Sequence, residues 1–189
     1  MTVARVRTRR DAWDRLVAAQ PPEWVLRHCR CVEALAMAMC DCAERQGLRV
    51  DRDVVQQAAL LHDIGRSATQ DVRHATLGAD LLRKDHWPEP VVLAVERHTG
   101  AGIDAPEAAA LGLPPRDYTP RTLEQQIVAH ADNLYTGDRR LTLAALRAKY
   151  EAKGLPRAWA KIEALHASLG AALGADLERL EPARLADLG

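Results

Sequence analysis

An all-α fold is what the sequence predicts, and three observations carry that prediction. Hydrophobic residues make up 48% of the 189, yet they are mostly Ala, Leu and Val; Phe is absent and aromatic residues amount to 4%. Alanine and leucine favour helix, while the β-branched and aromatic residues that fill a pleated sheet are too sparse for a large one. Apolar positions also recur at helical spacing, most clearly over Trp24, His28, Cys31, Val32, Leu35, Met39 and Cys42. A chain of this length can bury one sizeable core as a single domain.

Residues 1–10 carry Arg5, Arg7, Arg9 and Arg10 with little apolar content and read as a frayed start. Asp11 is expected to cap a short helix through Ala19, with Trp13, Leu16 and Val17 on one side. Pro21-Pro22 ends it and restarts the chain, since proline suits a first helical turn. The next helix runs from about Glu23 to Gln46, and Gly47 stops it. His28 shares its apolar stripe and so faces the core side. Cys29, Cys31, Cys40 and Cys42 have spacings that invite a zinc reading. Four sulfurs distributed along one straight helix cannot close a tetrahedron, so they read as buried or half-buried thiols in a reduced compartment.

Asp51 and Asp53 suit the cap and first turn of a helix carrying Val54, Val55, Ala58, Leu61 and His62, which Gly65 ends. Arg66, Ser67 and Thr69 follow in a polar connection. His74 opens a helix that continues to about Lys84, and His86 beyond it reads as surface. Pro88 and Pro90 start a helix ending at Arg97-His98, and Thr99 to Gly102 is a flexible turn. His98 therefore lies at a helix end facing a loop.

Asp104 caps a small helix from Pro106 to Leu111, and residues 112–120 form a proline-rich insert without periodicity, the kind of segment that walls or covers a site. Arg116 and Tyr118 are the insert's candidates for holding a phosphate or a base. Thr122 or Thr119 caps the following helix, which includes Ile127, Val128, Ala131 and Asp132. A carboxylate among apolar neighbours requires a cation or hydrogen bonds. His130 lies about 200° round the helix from Asp132 and is read as a supporting or surface group. Two amphipathic helices follow, from Leu141 to about Lys153 and from Pro156 through Leu169, then a looser helix from Gly170 to Gly189. They show no ligand set and an isolated His166, and read as a C-terminal cover and a candidate homodimer surface.

Charge narrows the function. The 26 basic and 26 acidic side chains cancel, so nothing pulls the chain in bulk towards a nucleic acid or an anionic membrane. An anionic substrate would have to be attracted locally. No run reaches transmembrane length and the N-terminus lacks an apolar signal core, which makes a cytoplasmic location the expectation.

Chemistry concentrates at Ala58-Ala59-Leu60-Leu61-His62-Asp63-Ile64-Gly65-Arg66. Adjacent helical residues point about 100° apart, but the tips of His62 and Asp63 can converge on an ion beside the helix end. Imidazole and carboxylate suit Zn, Mn, Fe and similar metals. The series His28, His62-Asp63, His74, His98 and Asp132 resembles the HD superfamily of metal-dependent phosphohydrolases, and Leu-His-Asp-Ile-Gly its HDIG subgroup. The resemblance covers about residues 23–137 and implies an HD-domain-like helical bundle with a C-terminal helical extension. On that division, residues 1–22 are an N-terminal arm and short helix, 23–137 the HD domain and 138–189 the cover.

His74 and His98 are similar to the extra pair of two-metal members, among them HD-type diadenosine tetraphosphate hydrolases and HD-GYP phosphodiesterases. No Gly-Tyr-Pro follows His98, which disfavours cyclic-di-GMP, and Arg66 stands where many relatives have lysine. The resemblance implies that His28, His62, Asp63 and Asp132 hold a first metal and Asp63, His74 and His98 a second, the ions being Fe, Mn, Co, Ni or Zn. A hydroxide bridging the metals would attack a small phosphate ester or anhydride. The activity is then that of a phosphomonoesterase, phosphodiesterase or nucleotidase, with a nucleotide as the expected partner and neither nucleic acid nor membrane. Arg66, a rigid cationic fork beside Asp63, would draw charge from the phosphoryl oxygens. Two alternatives stay open: a mixed-valent diiron oxygenase of the same superfamily, and a non-catalytic nucleotide-sensing module.

Overall fold

Thr8 opens helix α1 (Arg9–Ala18) in a computed structural model that describes residues 7–188. Its hydroxyl accepts from the Asp11 amide while the Asp11 carboxylate accepts from the Thr8 amide. Asp11 is thus the returning acid of a capping box, not the cap itself, because a hydroxyl stands three residues before it. The arginines there are not frayed. Arg7 donates to the Asp85 carbonyl at 2.8 Å, Arg9 pairs with the fully buried Glu33 and Arg10 with Asp14; Arg5 lies outside the described residues.

Helix α2 (Glu23–Arg45) buries His28, Val32, Leu35, Met39 and Cys42 of the predicted stripe, whereas Trp24 at its start is exposed and Val25 is buried instead. Asp51 caps α3 (Arg52–Leu61), which packs against α1 and α2 and later against α5 and α7, so it sits at the centre of the molecule. A 3-10 turn (Ile64–Ser67) leads to α4 (His74–Lys84) and α5 (Glu89–Glu96), which pair with each other. Helix α3 ends at Leu61, so Gly65 is not its stop. A Cβ on Gly65 would overlap the His74 carbonyl, and the glycine is there to let the turn lie against α4.

Helix α6 (Ala105–Ala110) is capped by Asp104, and α7 (Leu123–Asn133) by Thr122. The insert between them folds on itself: Tyr118 is buried with Ala108 and Leu113, and its hydroxyl donates to the Pro114 carbonyl at 3.0 Å. A short antiparallel hairpin, β1 (Tyr135–Thr136) with β2 (Arg139–Arg140), turns at Gly137. Helix α8 (Leu143–Ala152) packs on α9 (Pro156–Leu173), which returns to α7 and α2. Gly174 ends α9 in the left-handed region, φ +59°.

The tail beyond is not the looser helix expected. It runs irregularly over α2, where the Ala183 amide donates to the Ala34 carbonyl and Arg30 pairs with Asp187. Cys29, Cys40 and Cys42 are buried, Cys31 is half-buried, and all four are free thiols. Among the described residues no helix is long and apolar enough to cross a membrane.

Candidate metal centre

Five helices deliver six side chains to one point. His28 lies in the second turn of α2, His62 is the C-terminal cap of α3, and Asp63 follows it. His74 is the first residue of α4, His98 lies two residues beyond α5, and Asp132 is the penultimate residue of α7. The four imidazoles and Asp63 are buried, whereas Asp132 keeps 23% side-chain exposure and opens the point to a pocket.

The contacts fall into two groups. His28 Nε2 lies 3.1 Å from His62 Nε2 and 2.9 Å from Asp132 Oδ1, and His62 Nε2 is 3.6 Å from the same oxygen. His74 Nε2 lies 3.1 Å from His98 Nε2. Asp63 spans both groups. Its Oδ2 is 3.9 Å and 3.8 Å from His28 and His62, while its Oδ1 is 3.2 Å and 3.7 Å from His74 and His98. Two overlapping sets have the donor types and spacing to surround a cation, His28 with His62 and Asp132, and His62 with Asp63 and His98, with His74 beside the second.

The rings are aimed. His28 Nδ1 contacts the Gly137 carbonyl at 2.7 Å, His62 Nδ1 that of Ala59 at 2.8 Å, His74 Nδ1 that of Asp71 at 2.7 Å and His98 Nδ1 that of Val95 at 2.6 Å. A carbonyl only accepts, so every Nδ1 carries the hydrogen and every neutral ring turns its Nε2 lone pair towards the carboxylates. Such outer hydrogen bonds set the tautomer of metal-binding histidines. Buried Asp63 Oδ1 has no donor among the described residues, because its neighbours His74 and His98 present lone pairs. A buried oxygen of that kind needs a cation.

The electrostatics agree. Burial pushes the Asp63 carboxyl up, but the surrounding His62, His74 and His98 outweigh it and hold it well below the usual range. Burial likewise opposes ionisation of Asp132, and His28 and His62 reverse that. His28 is raised: burial lowers it, and Asp132 and Asp63 more than compensate. A proton on its Nε2 answers Asp132 where a metal would displace it, the usual exchange when imidazole sites fill. Burial, with His62 and His74 beside it, takes His98 down to about 3.

A pocket of about 300 Å³ opens over this point, walled by Trp24, Arg66, Thr136, Lys149, Tyr150 and Lys153. Arg66 Nε donates to Asp63 Oδ2 at 2.6 Å, and its guanidinium lies 5.6 Å from the Trp24 ring centre. The C-terminal cover therefore supplies a wall of the site, which the sequence reading missed. The available signal was Lys149 in α8 and Lys153 at its C-terminal cap, four residues apart.

Arg116 and Tyr118 do not line this pocket. Arg116 pairs with buried Glu96 at 2.6 Å and donates to the Tyr118 hydroxyl at 3.2 Å, so both hold the insert together. His130, expected at a support or surface position, is fully buried and lies 2.9 Å from His166, which is accordingly not isolated.

The model of the HD domain family matches residues 25–137 of the chain. A tRNA (cytidine(56)-2'-O)-methyltransferase of Picrophilus torridus is 47% identical over 154 residues, 82% of this chain and 44% of that protein. An uncharacterized protein of Methanocaldococcus jannaschii is 45% identical over 129 residues, covering 68% of this chain and 76% of the relative. The chain spans less than half the length of the methyltransferase relatives it matches. Among solved structures, the HD domain of the Listeria monocytogenes phosphodiesterase PgpH superposes with a TM-score of 0.48 at 18% identity, over 86% of this chain and 97% of that one.

Proposed function

The chain belongs to the HD domain family, and from that premise we propose that it is a metal-dependent phosphohydrolase acting on a small phosphate ester or anhydride, a nucleotide. One observation carries the reading. Four imidazoles on separate elements each commit Nδ1 to a backbone carbonyl and turn Nε2 towards two carboxylates, one of which divides its oxygens between the two ring pairs. That favours two divalent ions, with His28, His62, Asp63 and Asp132 around one and Asp63, His74 and His98 around the other. Fe, Mn, Co, Ni and Zn all suit such ligands. Metal ions of this class supply Lewis acidity, which makes water nucleophilic near neutral pH and stabilises charge on a phosphoryl oxygen.

The protein's own share is orientation and charge. Asp63 and the four carbonyl-anchored rings keep the donors fixed, so little reorganisation accompanies binding. Arg66 is pinned by Asp63 and the Gln70 carbonyl, with Nη2 3.4 Å from His74 Nε2, and offers its other terminal N–H groups to phosphoryl oxygens. Lys149 and Lys153 add positive charge to the pocket wall, in a chain with no net charge. The HD unit of residues 23–137 would thus carry the ligands, and the cover of residues 138–189 would carry part of the substrate wall.

The methyl transfer named for two relatives belongs to proteins more than twice as long as the matched part; it is not proposed for this chain, but it puts RNA among the substrates to assay. The test is phosphate release with Mn, Fe, Co, Ni and Zn added separately. Substrates would be nucleoside mono-, di- and triphosphates, dinucleoside polyphosphates, cyclic nucleotides, an aryl phosphate and tRNA. We expect metal-dependent release from at least one nucleotide. Silence across the panel, with dioxygen uptake by the iron-loaded protein, would move the assignment to an oxygenase.

A further inference from the structure

Behind the metal pocket lies a second cavity, of about 480 Å³, whose walls are mainly aliphatic: Val72, Ile103, Leu111, Leu155 and Ala158 contribute to it. It shares Thr99, Gly100, Tyr150 and Lys153 with the metal pocket, so the two adjoin across these residues. From this adjacency we infer that the cavity is the nucleoside subsite of the substrate whose phosphoryl group lies at the His–Asp centre. The inference rests on the phosphohydrolase reading and adds which part of the substrate is recognised, and where.

Several features of the cavity point to that occupant. Its volume is of the size that small-molecule sites commonly have. Leu111 and Leu155 are 50% and 46% exposed, large aliphatic side chains left open beside a cavity that a ligand would cover. The one acid in the wall, Glu107, is already answered by Lys161 and by the Asp104 amide, and the remaining charged side chain, Lys153, lies where the cavity adjoins the metal pocket.

The junction between the cavities is polar and rigid. Thr99 Oγ1 is buried there without a hydrogen-bond partner among the described residues, a group for which a ligand hydroxyl is a natural complement. Gly100 has φ +61°, and a Cβ there would come 3.7 Å from the Tyr150 hydroxyl. Asn133, next to Asp132, holds the Gly100 carbonyl at 2.8 Å and so ties the junction to the metal centre.

Metal centre, orphaned hydroxyl and apolar cavity lined by a tyrosine offer complements to a phosphate, a sugar hydroxyl and a base. An alkyl phosphate would fill the cavity and leave Thr99 unanswered. Base stacking on an aromatic ring adds affinity with little dependence on which base it is.

The test is calorimetric titration of the metal-loaded protein with non-hydrolysable methylenephosphonate analogues of the four common nucleoside 5'-monophosphates, of ribose 5-phosphate, and with an octyl phosphonate. At least one nucleotide analogue should bind about tenfold or more tightly than the ribose analogue. Ala158→Trp, which fills the cavity, and Leu111→Asp, at an exposed position, should each collapse that ratio towards unity. Damage to the metal centre weakens both ligands alike and cancels in the ratio. A ratio near unity in the wild type, a ratio that survives both substitutions, or an octyl phosphonate that binds as tightly as the nucleotides would overturn the inference. Phosphate release from the natural nucleotides is scored separately: binding preference without hydrolysis would keep the subsite and discard the phosphohydrolase reading.

Discussion

Two histidine clusters share helix α7, and the contrast between them shows what makes a ligand set. Asp132 and His130 are two residues apart, and each points to a place where imidazoles meet at about hydrogen-bond distance. At the Asp132 side, four rings spend Nδ1 on backbone carbonyls and crowd Nε2 against two carboxylates. At the His130 side, one ring nitrogen faces another at 2.9 Å, where a donor can meet an acceptor without a cation. No carboxylate makes up that pair, and His130 Nδ1 has no partner among the described residues. Burial and His–His proximity are common to both. The committed tautomers and the acidic oxygens differ, and they are what call for a metal.

The sharpest way to break this contrast is Asp63→Ala. The side chain touches both ring pairs, so its loss should empty both positions and drop hydrolysis to background, as read by elemental analysis and phosphate release. Full retention of metal would sink the shared-carboxylate arrangement. His98→Ala should cost only the ion held with His74, leaving about one equivalent instead of two; equal loss of both would show that the partition is wrong.

Arg66→Ala probes charge beside the centre without removing a ligand. We expect kcat/KM to fall by about 10²-fold with metal content retained, in line with the loss of one donor to a developing oxyanion. Unchanged kcat and KM would remove Arg66 from substrate binding.

The smallest effect belongs to the second cluster. Burial first, then His166 and Arg140, takes His130 down to about 3. A histidine at its usual value near 6.5 in the unfolded chain would bind a proton that the folded chain refuses. The folded state therefore keeps this contribution in full above about pH 6.5 and loses it progressively as the pH falls towards about 3. Between about pH 7 and pH 5 the loss is about 1–2 kcal/mol, and His130→Leu should remove it from the acid slope of denaturant-unfolding stability. Because the metal centre is common to both proteins, its own pH dependence cancels in the comparison. Parallel slopes would mean that the pair is protonated in the folded state.

Some of this was readable along the chain. Apolar spacing located α2, α3, α4, α5 and α7 to within a few residues, and proline, glycine and periodicity placed His98 at a helix end. Those signals are local, spanning one or two turns. Caps were less secure where two candidates competed, as with Thr8 and Asp11, since only the backbone shows which oxygen faces the amide. Gly65 was misread as a stop because a packing glycine and a terminating glycine look alike in sequence. The proline-rich insert was misjudged for a similar reason: Arg116 and Tyr118 have the chemistry of ligands, but Glu96, twenty residues back, claims the arginine.

The sequence by itself determined the inventory: an all-helical chain, an apolar turn ending in His62-Asp63, and four further acids and imidazoles of metal-binding type. Helical periodicity and side-chain chemistry act over a few residues, so one strand of text carries them. Only the tertiary structure decided that Asp63 divides its oxygens between two ring pairs, that Gly137 aims His28, and that α8 and its C-terminal cap wall the pocket with Lys149, Tyr150 and Lys153. It also decided that His130 turns to His166 and away from its neighbour Asp132. Those choices depend on where helices cross, and a contact between residues 104 positions apart, such as His28 and Asp132, has no local periodicity to announce it.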